Sequence, residues 1–230
     1  MLSQGFQQAK EITRRNAHTF YLTSFFLRRD KRLAAYTIYA ICQLSDESVD
    51  AIELNDAQKR KELVTVQTKI DQAFSTTQIE DPLVLSFREI VKKYHIPKEY
   101  FDELVCGMAM DLTINRYQNF NELYNYSYKV AGVIGLIMLK IFGYKDMEAE
   151  KYAIHLGIAL QLTNILRDIK EDFARGRIYL PQAEMKKFEI SEKDIEAQVV
   201  DDRFQRFMRF QVERARDYFC RARQGLKLIN

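Results

Sequence analysis

Tryptophan is missing from these 230 residues, and glycine and proline are scarce, at eight and three. So few breakers disfavour a turn-dense β fold and leave long stretches open to helix. Cysteine is also sparse. Cys42, Cys106 and Cys220 form neither a pair at metal-ligand spacing nor an even-numbered framework, so structural thiols in a reducing compartment are expected. His18, His95 and His155 share no ligand spacing, which argues against zinc. An excess of one charge is lacking too: 35 basic residues are offset by 32 acidic ones, and the net +3 is too small for a nucleic-acid footprint. The stretch 203–223, basic but interleaved with acids and aromatics, reads as a solvated helix face. Its reading and the charge balance together predict no nucleic-acid partner. No run reaches the roughly 18 apolar residues of a membrane span, because the longest, "VAGVIGLIMLKIFGY", is interrupted by Lys140. With no apolar leader and cleavage site at the start, the expectation is a soluble, cytoplasmic protein. Dinucleotide, P-loop and nucleophile-elbow glycine motifs are absent as well.

What is present is helical periodicity. Apolar positions recur at helix spacing over 4–27, 30–54, 57–74, 82–94, 98–115, 121–142, 147–173 and 192–227, with breaks at Asp81-Pro82, Ile96-Pro97, Gly143 and the 176–181 stretch. No repeat or low-complexity linker divides the chain. The fold class is therefore all-α, a helical bundle in one domain spanning 1–230.

Two of these helices carry polar stripes where a core helix should be apolar. "AIHLGIALQLTNIL" is apolar almost all round, yet Gln161, Asn164, Asp168 and Asp172 follow at steps of three, four and four. The second helix, "RLAAYTIYAICQLSDESVD", repeats the design and ends in Gln43, Asp46 and Asp50. Residues at i and i+4 share a helix face, with Cβ atoms about 5–6 Å apart. Carboxylates that close in a partly buried site repel unless a cation holds them. Magnesium suits the arrangement, since one or two carboxylates and substrate phosphates complete its octahedron. Manganese is the alternative ion. Pairs on two helices could face each other across a cavity, each bridging metal to one diphosphate. Asn164 and Gln161 offer neutral oxygens, and Arg167, Arg175 and Arg177 with Tyr179 supply partners for phosphate. "YNYSYKVAGVIGLIMLKIFGY" adds Tyr126 and Tyr128 beside Ala131, Gly132 and Gly135, small residues that admit another helix or a flat hydrocarbon.

The strings "CQLSDESVD", "GMAMDL", "YSYKVAGVIG" and "QLTNILRDIKEDFARGRIYLP" resemble the squalene and phytoene synthase family, over about residues 16–179. The resemblance implies an isoprenoid-synthase helical bundle around a central cavity. It implies that Asp46 and Asp50 are the first aspartate-rich motif and Asp168 and Asp172 the second, with Asn164 beside it, all holding magnesium against diphosphate. Gln161, Arg167 and Tyr126 would line the same chamber, Tyr39 would stand next to the first motif, Phe20, Ala131 and Gly132 would border prenyl tunnels, and Arg177 and Tyr179 would lie near the diphosphate end. The implied reaction joins two allylic diphosphates, farnesyl or geranylgeranyl, through a cyclopropylcarbinyl diphosphate. The product is a C30 or C40 carotenoid precursor, dehydrosqualene or phytoene, or squalene where NADPH reduces the intermediate. NADPH is not expected here, although reductive members need show no Rossmann loop. Peripheral membrane contact for release of the oily product is part of the same expectation.

The sequence departs from the family's pattern at named positions. The usual hydroxyl, Lys, hydroxyl, Phe run, which binds phosphate, reads Ala17, His18, Thr19, Phe20, and the Arg expected after the Cys of the first motif is Gln43. Against the family's pattern, the 1–230 domain is also expected to lack the last C-terminal helices, which usually continue past the position of Asn230. These departures keep a second reading open, a weakly catalytic relative that binds prenyl diphosphate or acts as an assembly partner. A head-to-tail elongase or a cyclase is a third, but its D-D-x-x-D is replaced by D-E-S-V-D.

Overall fold

The structure is a computed structural model that describes residues 1–50 and 54–230, with 48–50 described by their backbone alone. Among the described residues the regular elements are helical, and the β pairings are two isolated bridges, Arg116 with Ile178 and Tyr144 with Ile229. The all-α expectation is met. By spatial proximity the chain resolves into two compact units, Met1–Ala109 with Ile137–Gly143, and Met110–Leu136 with Tyr144–Asn230.

The first unit contains α1 (Leu2–Asn16), α2 (His18–Thr23), α3 (Arg29–Asp50), α4 (Asp56–Phe74), α5 (Pro82–Lys93) and all but the last residue of α6 (Lys98–Met110). The helix expected over 4–27 is broken at Ala17, whose φ of −136° and ψ of 63° leave the helical region. One turn earlier the buried Thr13 hydroxyl donates to the Ala9 carbonyl at 2.9 Å, a back-bond of the kind that bends helices. The α3 helix is buried from Ala34 to Ile38 and at Ala40 and Ile41, as its apolar run requires, and the hydroxyls of Ser24 and Tyr36 meet at 2.5 Å to hold the preceding turn on it. Local signals fix the starts of the next helices. Asn55 and Gln58 form a reciprocal capping box on α4. The Asp81 carboxylate accepts from the Leu83 and Val84 amides ahead of α5, whose first residue is Pro82. Phe74, Phe87 and Phe101 then pack together, the last two at 4.8 Å between ring centroids in an edge-on contact.

The second unit contains α7 (Phe120–Ser127), a π-helical turn (Tyr128–Gly132), the first turn of α8 (Val133–Phe142), α9 (Ala149–Arg167), α10 (Ile169–Ala174), α11 (Gln182–Lys187), α12 (Glu192–Glu196) and α13 (Asp202–Arg223). Four expectations are corrected. The helix over 98–115 stops at Met110. That over 121–142 is wound as π-helix in its middle, where α9 approaches so closely that a Cβ on Gly157 would overlap the Ala131 carbonyl. The helix over 147–173 is interrupted at Asp168, with φ −103° and ψ 14°. That over 192–227 is two helices, because the Asp201 carboxylate starts α13 afresh by accepting from the Phe204 amide. The α11 helix was not anticipated. Nor is the basic stretch 203–223 wholly solvated: α13 buries Phe207, Gln211, Ala215, Tyr218 and Ala222. Arg214 lies half-buried, gripping both oxygens of Glu184 at 2.5 and 2.9 Å and stacking 3.9 Å over the Phe120 ring.

Candidate active site

In the first unit, α3 presents one face of its last turns as a hydrogen-bonded ladder. Tyr39 donates to Gln43 Oε1 at 2.8 Å, and Gln43 Nε2 donates to Glu47 Oε1 at 3.1 Å. The Phe20 ring of α2 leans on Tyr39 at 5.9 Å between centroids, so a residue expected to border a tunnel meets the one expected beside the first motif. His18 and Thr19 are exposed at the start of α2, and Asp46 is exposed on α3. Burial and the Asp46 charge push the Tyr39 phenol above its ordinary range. The same two causes push the Cys42 thiol up, which makes it an unreactive packing thiol. The side chain of Asp50 lies outside the described residues.

In the second unit, α9 carries Gln161, half-buried, and Asn164, exposed, toward Asp168. The helix breaks at Asp168, but two i to i−4 hydrogen bonds still bracket the break. The Asp168 amide donates to Asn164 O at 2.9 Å and the Asp172 amide to Asp168 O at 2.8 Å, so the four-residue spacing of the stripe survives the kink. Arg167 grips the carboxylate of its neighbour Asp168 with Nε at 2.7 Å and Nη2 at 2.6 Å. Burial, reinforced by the Asp168 charge and opposed by Arg177 and Arg175, raises the Asp172 carboxyl to about 7. Such a carboxylate pair is short of positive charge, the condition a divalent cation relieves. Among the described residues no three His, Cys, Asp or Glu side chains gather as a metal cage. Magnesium typically needs only one or two carboxylates, and Asp168, Asp172 and the Asn164 amide are donors of the right chemistry for it.

Asp172 and Arg177 also line a small cleft with Ile165, Ile169, Ile178, Tyr179, Leu180 and Ile195, so charged and apolar groups share its wall. Tyr179 leads from the cleft into a cluster of tyrosines. Tyr126 and Tyr179 stack at 5.1 Å, and Tyr117 packs on them at 5.5 and 5.8 Å. Asp111, which the residue pattern did not single out, joins them. It accepts from Tyr179 at 2.7 Å on Oδ1 and from Tyr126 at 2.9 Å on Oδ2. The signal for it was the string "GMAMDL", quoted for its resemblance but not read as chemistry.

Backbone pairing assembles this cluster. The amides of Ile178, Gln182 and Ala183 donate to the carbonyls of Asn115, Tyr117 and Gln118 at 2.9–3.0 Å. Arg116 staples the arrangement, holding both Glu192 oxygens at 2.7 and 2.8 Å while Nη1 donates to Gly176 O at 2.7 Å. Gly176 itself sits at φ +79°, the left-handed region that only glycine enters cheaply. Ala131 and Gly132 form the π-helical turn against α9, where Gly157 lets the backbones touch.

The family model for Squalene/phytoene synthase matches residues 13–230. The chain is 37% identical over 244 residues to 15-cis-phytoene synthase of Synechococcus elongatus, covering 100% of this chain and 78% of that one. It is 37% identical over 232 residues to phytoene synthase 2, chloroplastic, of Solanum lycopersicum, covering 98% and 74%. Among solved structures it is similar to the squalene synthase HpnC from Alicyclobacillus acidocaldarius, at a TM-score of 0.91 and 27% identity, covering 100% of this chain and 86% of that one.

Proposed function

The chain belongs to the squalene/phytoene synthase family, and from that premise we propose that it condenses two prenyl diphosphates head to head into a C30 or C40 carotenoid precursor. The observation that carries the reading is Asp172, whose carboxyl is raised to about 7 beside Asp168 while Arg177 lies within its field. An acid pair, one member of which shares a cleft wall with the Arg177 guanidinium and apolar side chains, supplies the parts a reaction needs when diphosphate leaves carbon. Asp168, Asp172 and Asn164, and on α3 Asp46 and Asp50, are the residues that would hold magnesium. The ion, when bound, neutralises charge on the departing diphosphate.

The chain's own residues do the rest. Arg167 and Arg177 bind phosphate oxygens, Arg167 exchanging Asp168 for the substrate. Gln161 orients the polar end, while Phe20, Tyr39, Ala131 and Gly132 contact hydrocarbon. Loss of the first diphosphate leaves an allylic cation, and the second molecule's double bond captures it to give cyclopropylcarbinyl diphosphate with loss of a proton. A second ionisation, rearrangement and loss of another proton give dehydrosqualene or phytoene. Apolar walls keep water from the cations. The product is a hydrocarbon, so a cytoplasmic location with peripheral membrane contact fits its release; no helix among the described residues is long and apolar enough to cross a membrane.

Asp46→Asn and Asp168→Asn test the assignment. Each is expected to lower pyrophosphate release roughly 100-fold or more without lowering the melting temperature. Unfolding of either variant contradicts a role confined to the site. A second reading, binding without turnover, is favoured by Gln43, whose amide is engaged by Tyr39 and Glu47 where a cation is usual. Tight binding of prenyl diphosphate with no pyrophosphate released decides for it.

A further inference from the structure

The Asp111 carboxylate lies where two phenol hydroxyls converge, Tyr179 Oη 2.7 Å from Oδ1 and Tyr126 Oη 2.9 Å from Oδ2. An ionised carboxylate only accepts, so each phenol turns its single hydrogen toward Asp111. The contact between the two phenol oxygens, at 3.4 Å, is longer than either. Stacking at 25° between ring planes leaves the rings little freedom to turn away. A phenol whose hydrogen is committed in this way offers any other neighbour only its oxygen lone pairs and ring face, the negative ends of its dipole and quadrupole. Tyr179 lines the cleft that also holds Asp172 and Arg177.

We propose that Asp111 is a positioning residue. It locks Tyr126 and Tyr179 as donors toward itself, so that Tyr179, on the cleft and stacked on Tyr126, presents electron density and no proton to a cationic carbon skeleton. The proposal rests on the prenyl condensation proposed above, because only a reaction through carbocations benefits from such a surface. It also explains why one acid is placed among buried rings. Burial first, and the Asp111 charge second, hold both phenols above their ordinary range, so they stay neutral while remaining oriented.

Asp111→Asn is the isosteric test. The amide accepts at one oxygen and donates from its nitrogen, so one phenol must reverse its O–H and turn the hydrogen outward. The expected result is a fall in kcat of at least about tenfold with KM for the prenyl diphosphate unchanged, and one tyrosine titrating at lower pH by ultraviolet difference absorbance. In a Tyr179→Phe background the further loss of kcat on Asp111→Asn should shrink to a few-fold. An unchanged kcat overturns the proposal, as does a raised KM at constant kcat, which places Asp111 in substrate binding instead. Should Asp111→Asn fail to fold, Asp111→Glu carries the test: it keeps two acceptor oxygens and must retain most of kcat, and its inactivation in folded form overturns the proposal. If the wild-type protein releases no pyrophosphate, the reaction reading fails by itself. The tyrosine titration then decides on Asp111, a shift in Asp111→Asn supporting the lock and no shift refuting it.

Discussion

Arg167 holds the carboxylate of Asp168, the next residue in the chain, through two bonds of 2.7 and 2.6 Å. A guanidinium in that position competes with a metal for the acid and is at hand for a diphosphate that arrives with the metal. Arg167→Gln should therefore tighten the affinity for magnesium alone and weaken the affinity for magnesium pyrophosphate about tenfold, the loss of one bidentate charge-assisted pair. Isothermal titration with each ligand separates the two effects. Weaker binding of both contradicts the exchange.

Asp172 predicts an unusual pH dependence. Its folded carboxyl, raised to about 7 by burial and by Asp168, lies above its ordinary 3.8, so the native state keeps a proton that the unfolded chain has already lost. Stability without divalent ions should fall as pH rises through that window, and magnesium should bind more tightly above it. Urea unfolding in chelator at pH 5 and pH 8 is the check. The wild type should be less stable at the higher pH, and Asp172→Asn should flatten the difference.

Gly157 predicts a packing defect of known sign. A Cβ there meets the Ala131 carbonyl, which belongs to a packed backbone rather than a yielding side chain. Gly157→Ala should cost about 1–3 kcal/mol and lower the melting temperature by about 2–12 °C, despite the higher helix propensity of alanine. Calorimetry of the variant is sufficient, and a gain in stability refutes the close approach of α9 to the π-helical turn.

The helices were legible in the sequence because apolar periodicity and caps such as Asp81-Pro82 act locally. The breaks at Ala17 and Asp168 were not, since neither carries Gly or Pro and the amides of Ala17 and Asp168 still donate to Thr13 and Asn164 as in an unbroken helix. The stripe of Asn164, Asp168 and Asp172 could be read because its spacing lies on one stretch of chain. Asp111 could not, because its partners Tyr126 and Tyr179 stand 15 and 68 positions away and meet it only through the pairing of residues 115–118 with 178–183. Arg167 was expected to aim at phosphate, and its grip on Asp168 became visible only with side chains in place.

The most direct measurement is product analysis. Purified protein is incubated with magnesium and either farnesyl or geranylgeranyl diphosphate, with and without NADPH. Pyrophosphate is assayed, and the hexane extract is examined by mass spectrometry. The account predicts pyrophosphate release and a C30 or C40 hydrocarbon from one of the two substrates, formed without NADPH. Folded protein that binds both substrates and releases pyrophosphate from neither contradicts it.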